Sequence, residues 1–76
     1  MSQDKTLFNR SILANNVKIL RLKHKIRREE LSLLLGFDNS YISKLEKSKI
    51  NITIDKLTKI AEYFNVEIVD LFKISR

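Results

Sequence analysis

Four polar side chains lie close together in the segment that follows Gly36, the only glycine of the chain. They are Asn39, Ser40, Ser43 and Lys44. This spacing places them on one face of a helix, opposite the apolar Ile42 and Leu45. Side chains of these types are slim and hydrogen-bonding, as required to reach base edges in a major groove about 12 Å wide. The pattern therefore favours a helix that reads bases, and periodicity alone leaves open a solvated polar face.

Catalytic and metal-binding chemistry has little support in this sequence. His24 is the only histidine, and the chain has no cysteine. No carboxylate cluster and no glycine-rich phosphate loop is evident in the sequence. We therefore expect no enzyme activity, no metal site and no cofactor. His24 is best explained as a surface group at the C-terminus of a helix, where the dipole favours it.

The charge balance points to a polyanionic partner. The 76 residues include 15 Lys and Arg against nine Asp and Glu, a formal net charge of +6. Such an excess favours nucleic acid first and an anionic membrane surface second. The absence of cysteine, of a leader-like N-terminus and of any apolar run near ~18 residues predicts a cytoplasmic protein without a membrane span.

The elements that would position these residues are helices. The chain has no proline and one glycine, and its apolar residues recur at threes and fours. We expect an all-α fold of five helices: over about 11–24, over 28–35, from an N-cap at Asp38, from an N-cap at Thr53 to Phe64, and over 67–72. The apolar spacing predicts that the buried stripe of the fourth helix consists of Ile54, Leu57, Ile60, Ala61 and Phe64. Gly36 and Asn65 are expected in left-handed conformations after the second and fourth helices.

One domain accounts for the whole length. We divide it into an N-terminal extension (1–10), a five-helix core (11–72) and a short tail (73–76), which leaves no room for a small-molecule effector domain. Within the core, residues 28–47 form two short helices joined by a turn that contains Gly36. This is the layout of a helix-turn-helix.

Several segments carry a resemblance to a known family. They are 29–31, 35–36, 40–47, 51–54, Leu57, 60–61, Val66 and 70–72. Over about residues 13–72, in register, the chain resembles the Xre family of phage-repressor and Cro-like helix-turn-helix proteins. The resemblance implies a compact lambda-repressor-like domain whose third helix is the recognition helix. It also implies a regulator that binds double-stranded DNA, and it fits restriction-modification controllers as well as small phage or plasmid repressors.

The resemblance assigns roles to further residues. It pairs Arg21 with Glu46 as a structural ion pair, with two unrelated surface charges as the alternative. Arg28, where the family commonly has glutamine, is the first candidate for a phosphate contact. The other phosphate candidates, each with a solvated surface residue as the alternative, are Arg27, Lys18, Lys49 and Asn51.

A homodimer on a pseudo-palindromic operator is the expected assembly. The C-terminal part has more apolar residues than one small core needs, and family analogy places the dimer interface there. The candidates are Ile68, Val69, Leu71, Phe72 and Ile74. We therefore expect a nucleoid-associated transcriptional regulator. The alternative is a protein-binding module such as an antitoxin or anti-repressor, and RNA binding is disfavoured because a reading helix does not enter A-form RNA.

Departures from the family pattern concern the N-terminal extension and two leucines. Leu33 and Leu34 stand where the family usually has polar residues, and Leu7 and Phe8 add apolar surface to the extension. We expect the extension either to lengthen the first helix or to fold back over Leu33 and Leu34. The rival explanation is a partner-binding patch.

Overall fold

The computed structural model describes residues 5–74, which form four α-helices and one short 3₁₀ helix. The elements are α1 (Lys5–Lys23), α2 (Arg28–Leu34), α3 (Tyr41–Glu46), α4 (Ile54–Phe64) and the 3₁₀ helix (Ile68–Phe72). No strand occurs within residues 5–74, so the all-helical prediction is confirmed. The predicted count of five helices is not confirmed, since the structure has a 3₁₀ turn at the place of the fifth helix. The outer parts of the predicted extension and tail, 1–4 and 75–76, lie outside the described residues.

The first helix begins earlier than expected. It starts at Lys5 and not at Ser11, so the extension adds turns to α1. Leu33 and Leu34 stay 64% and 61% exposed, so the described part of the extension does not cover them. Phe8 on the added turns is 57% exposed. The extension therefore lengthens the helix without enlarging the core at that end.

The turn between α2 and α3 depends on Gly36 and Asp38. Gly36 takes a φ of 78°, the left-handed conformation that glycine adopts without a Cβ penalty. The sequence predicted Asp38 as the N-cap of α3, and this prediction is wrong. The N-cap position is Ser40, and Asp38 Oδ2 accepts the Ser40 backbone N–H (3.2 Å) and hydroxyl (2.5 Å). The carboxylate therefore closes the turn that precedes the helix.

The fourth helix follows its local signals closely. Thr53 Oγ1 accepts the Lys56 N–H at 3.2 Å, and Asn65 ends the helix in the left-handed conformation at φ 58°. The buried stripe is Leu57, Ile60, Ala61 and Phe64. Ile54, which the periodicity also placed in this stripe, is 67% exposed because it lies at the first helical position, beyond the edge of the core.

The last element is a 3₁₀ helix fastened to α1. Asp70 Oδ2 accepts the Glu67 N–H at 2.9 Å and stabilises its start. Asn16 of α1 donates through Nδ2 to the carbonyls of Leu71 (2.7 Å) and Lys73 (2.9 Å). These contacts favour the tight five-residue turn over a longer α-helix.

The core draws one large, fully buried side chain from every element. These side chains are Val17, Leu31, Ile42, Ile60 and Leu71. Burial of a side chain of this kind contributes about 1.5–3 kcal/mol, and together they fix how the helices lie on one another. Within the described part of the chain, no helix is both long and apolar enough to cross a membrane.

Candidate nucleic-acid interface

Ser32 fixes the angle between α2 and α3. Its side chain is fully buried. The hydroxyl donates to the Arg28 carbonyl at 2.9 Å and accepts the Ile42 backbone N–H at 3.0 Å. Because an unpaired buried N–H is costly, this bridge holds the first turn of α3 at a set position on α2. The sequence analysis did not single out Ser32, since a serine inside a short helix gives no signal of its partner.

Arg21 and Glu46 form the ion pair that the family pattern implies. Arg21 Nε lies 2.7 Å from Glu46 Oε2, and Nη2 lies 3.3 Å from Oε1. Both side chains are nearly buried, at 8% and 6% exposure. Arg21 Nη1 also donates to the Ile26 carbonyl at 3.0 Å. A two-point pair of this kind fixes geometry, and here it joins the end of α1 to the end of α3.

A second guanidinium reaches the same carboxylate. Arg28 Nη1 lies 3.5 Å from Glu46 Oε1, and the Arg28 side chain is 49% exposed. The inner Arg21 already neutralises Glu46, so Arg28 keeps donor groups directed to solvent. The buried carboxylate of Glu46 therefore orients the Arg28 guanidinium, and about half of the Arg28 side chain remains exposed to solvent.

A cleft lies between the start of α2 and the start of α3. Its volume is about 530 Å³. The predicted DNA-contacting residues that line it are Arg27, Arg28, Asn39, Ser40 and Ser43. Three of the four predicted base-reading residues therefore share one surface with two of the predicted phosphate contacts, and Lys44 is not part of this lining.

A smaller cleft continues this surface along α3. Its lining includes Lys18, Arg28, Ser43 and Lys47. Lys18 therefore lies close to Arg28 and Ser43 on this surface. Lys47 was not among the predicted site residues. The available signal was its spacing, since it follows Ser43 by one helical turn.

The comparisons with known proteins identify the family of this chain. The helix-turn-helix family model matches residues 17–71. The chain belongs to the Xre-type helix-turn-helix family. An uncharacterised transcriptional regulator of this type from Methanocaldococcus jannaschii is 33% identical over 60 residues, which cover 79% of this chain and 91% of that protein.

Two further similar proteins are informative. Control protein C.SmaI from Serratia marcescens is 29% identical over 62 residues, covering 82% of this chain and 74% of that protein. The crystal structure of a hypothetical transcription factor from Neisseria superposes with a TM-score of 0.83 at 26% identity, covering 96% of this chain and 84% of that one. The family is one of transcriptional regulators that bind DNA, and the comparisons indicate no enzyme family.

The family resemblance predicts that α3 is the recognition helix. Of the predicted base-reading residues, Ser43 and Lys44 lie in α3, whereas Asn39 and Ser40 lie just before it. Asn39 and Lys44 are exposed, and Ser40 and Ser43 are half-buried. The Ser40 hydroxyl donates to Asp38, so its oxygen keeps acceptor capacity. The hydrogen bond from the Ser40 hydroxyl and, second, the one from the Ser40 backbone N–H hold the pKa of Asp38 below its ordinary value. The nearby positive charge of Lys44 also lowers this pKa, and Asp38 is ionised at neutral pH.

Lys49 and Asn51 lie in the loop between α3 and α4, apart from the two clefts. Both are exposed. Asn51 Oδ1 accepts a hydrogen bond from Arg10 Nη2 of α1. The Xre-type domain therefore carries predicted phosphate contacts in two groups: Lys18, Arg27 and Arg28 around the clefts, and Lys49 and Asn51 in this loop.

An aromatic pair supports the start of the recognition helix. The rings of Phe37 and Tyr41 are 4.8 Å apart between centroids. Lys56 Nζ of α4 lies 4.4 Å from the Tyr41 ring centroid and 5.5 Å from that of Phe37. Burial raises the pKa of the Tyr41 phenol. These contacts tie the turn before α3 to α4, and Phe37 is a core residue that the sequence analysis treated only as part of the turn.

The predicted dimer residues divide by burial. Leu71 is completely buried in the domain's own core. Its side chain has no surface to offer a partner, and this corrects its placement at the dimer interface. Val69 and Ile74 are 62% and 64% exposed. Ile68 and Phe72 are half-buried against the core and keep part of their surface.

Metal ligands are not clustered in the part of the chain that the structure describes. No group of three His, Cys, Asp or Glu side chains within residues 5–74 is arranged to hold a metal ion. His24 instead packs its ring edge against Phe64, with centroids 4.9 Å apart.

Proposed function

We propose that this chain regulates transcription by binding a pseudo-palindromic site in double-stranded DNA as a homodimer, with α3 of each subunit in one major groove. The observation that carries the proposal is the cleft at which the polar face of α3 meets Arg27 and Arg28. A surface of this composition offers donors to base edges and cations to phosphates at the same time.

The base contacts follow from the side-chain types on α3 and in the turn before it. Asn39 is suited to adenine, Lys44 to guanine, and the Ser43 hydroxyl to either donors or acceptors. The Ser40 hydroxyl donates to Asp38 and is therefore suited to base donors. A good bidentate contact discriminates by about 1–3 kcal/mol against the wrong base. These four side chains are the proposed base-reading set.

The phosphate contacts are proposed on two sides of α3. Lys18, Arg27 and Arg28 lie around the clefts, whereas Lys49 and Asn51 belong to the loop that follows α3. A helix in a major groove has one sugar-phosphate strand on each side. The two groups therefore suit the two strands, and their contacts would set the register of α3 without reading sequence.

The proposed dimer surface is the exposed apolar part of the C-terminal region. It comprises Ile68, Val69, Phe72 and Ile74. A two-fold arrangement makes the same surface serve both subunits. It would place two reading helices about 34 Å apart, one turn of DNA. The similarity to control protein C.SmaI supports a small regulator of this kind.

The first experiment is selection from a random duplex pool at near-physiological salt, with sequencing of the bound fraction after several rounds. We expect an enriched palindrome with half-sites one helical turn apart. Enrichment of a single half-site would remove the dimer from the proposal. No enrichment would remove sequence-specific DNA binding.

Two variants then separate the two kinds of contact. Lys44→Ala should reduce preference for the selected site while leaving weak binding to random duplex largely intact. Arg28→Ala should weaken binding to every duplex and lower the slope of log affinity against log salt by about one. Equal losses on both duplexes for Lys44→Ala would show that the base-reading face is misplaced.

A protein partner is the second candidate, favoured by one observation. Leu33 and Leu34 are 64% and 61% exposed on α2, and Leu34 lines a surface hollow with Tyr63 of α4. Exposed apolar side chains that cluster mark interaction surfaces more often than single ones do. If selection yields no DNA site, a protein-binding module such as an antitoxin or anti-repressor becomes the leading function. Leu34→Glu would then abolish partner binding while leaving the fold intact.

A further inference from the structure

The added turns of α1 reach the loop that follows the recognition helix. Arg10 Nη2 donates to Asn51 Oδ1 across 41 positions of sequence. The two elements face each other across a cleft of about 260 Å³. Its polar lining residues are Thr6, Asn9 and Arg10 from α1, with Ser48 and Asn51 from the loop. The extension thus stands beside the proposed phosphate contacts at Lys49 and Asn51.

The charge of Arg10 has no salt-bridge partner among the described residues. Arg10 is half-buried, and its hydrogen-bond partner Asn51 is exposed and neutral. Among the salt bridges between described residues, none involves Arg10. Its positive charge is therefore not neutralised by Asn51.

The contact between Arg10 and Asn51 leaves hydrogen-bond donors of both side chains unused. A guanidinium has five N–H donors in a fixed fork, and Asn51 takes up one of its nitrogens. Because Asn51 accepts through Oδ1, its Nδ2 is left as a donor. Arg10 and Asn51 together therefore offer N–H groups and a positive charge, and the Asn51 oxygen is already engaged by Arg10. A phosphate diester, which carries only acceptor oxygens and one negative charge, matches this arrangement.

We propose that Arg10 is a further DNA-backbone contact, so that the first turns of α1 form a third part of the interface beside α2 and the loop after α3. This rests on the proposed function, since it assumes that the duplex lies along α3. Asn51 orients the guanidinium, and Arg10 supplies the charge. The contact is sequence-independent, because a phosphate carries no base information.

The test measures binding of the full-length chain to its selected duplex and to a random duplex between 50 and 200 mM salt. Arg10→Gln retains a donor for Asn51 and removes the charge. Loss of one phosphate contact lowers the salt slope by about 0.9, so its affinity penalty should be about 3.5-fold larger at 50 mM than at 200 mM on both duplexes. Arg10→Lys should restore the parent slope.

The matched control is Lys59→Gln, which removes a charge from an exposed position on α4 beside Leu34 and Tyr63. The salt slope of Lys59→Gln should change by less than half as much as that of Arg10→Gln. A parent-like slope for Arg10→Gln, or a penalty confined to the selected duplex, would overturn the inference. Absence of salt-dependent duplex binding by the parent chain would instead overturn the proposed function, which keeps the two failures distinct. Melting temperatures of all variants confirm that they are folded.

Discussion

The scaffold helix α4 and the reading unit α2–α3 are built in different ways. The eleven residues of α4 begin at a threonine whose side chain caps the helix and end at a left-handed asparagine. In contrast, α2 and α3 have seven and six residues, and neither has a side-chain bond at its N-cap. Helices so short are marginal by themselves. Local signals therefore define the scaffold, whereas the reading unit depends on two tertiary bridges, Arg21–Glu46 and Ser32.

Breaking the buried ion pair should have the largest effect. Glu46→Ala removes the carboxylate that Arg21 and Arg28 share, and the Arg21 guanidinium is buried. The substitution should therefore lower the free energy of unfolding by about 3–5 kcal/mol. This is a large part of the stability expected of a domain this small. Urea unfolding measures the loss. Replacing Arg21 and Glu46 together by leucine should cost less than Glu46→Ala alone, and a single-variant loss below about 1 kcal/mol would show that the pair is not structural.

Removing the serine bridge should come next. Ser32→Ala leaves the buried Ile42 N–H without an acceptor and should cost about 1–3 kcal/mol. The matched control is Thr58→Ala in α4, whose hydroxyl donates to the Ile54 carbonyl at 2.9 Å and is partly exposed. That variant should cost no more than about 0.5 kcal/mol. Equal losses in chemical unfolding would mean that the reading unit is no more dependent on tertiary contacts than α4.

Loss of an N-cap side chain should destabilise α4 more than α3, which is the reverse of the order expected for Ser32 and Thr58. Thr53→Ala removes the hydrogen bond to the Lys56 N–H and should cost about 1 kcal/mol. Ser40→Ala, at the N-cap position of α3, removes no cap bond and should cost less than about half of that. Thermal unfolding of both variants decides between them. A larger loss for Ser40→Ala would show that the turn, and not the bridge, holds α3.

The smallest effect concerns pH and the turn before α3. Hydrogen bonds from Ser40 lower the pKa of Asp38, so its ionised form stabilises the fold above the ordinary aspartate pKa of about 3.9. That contribution is lost as pH falls through the lowered pKa. Asp38→Asn should therefore melt slightly below the parent at pH 6, and the difference should vanish in acid. A difference that persists at pH 2 would assign the effect to shape and not to charge.

Sequence reasoning succeeded where signals are local or carried by pattern. The apolar spacing predicted the buried stripe of α4, and the types of Thr53, Gly36 and Asn65 predicted their backbone roles. The family pattern implied the contact between Arg21 and Glu46, which the structure places at 2.7 Å.

It failed at the ends of α1 and α3. Lys25 and Ser48 take φ values of 53° and 62° after these helices, although neither residue type favours the left-handed region. Each residue lets its helix end in a local turn, in which the Ile26 N–H donates to the Arg21 carbonyl and the Lys49 N–H donates to the Lys44 carbonyl. The sequence left open whether the extension lengthens α1, and it gave no signal for the 3₁₀ form of the last element.

The helical class, the apolar faces and the polar and basic side chains on offer to DNA can be predicted from the sequence, because periodicity and side-chain type are local properties. The folded domain is needed to show that Ser32 joins α2 to α3 and that Arg28 shares the carboxylate of Glu46. The same holds for the burial of Leu71 in the core and for the contact between Arg10 and Asn51. Each of these depends on the distance between atoms remote in sequence, which packing of the whole domain sets.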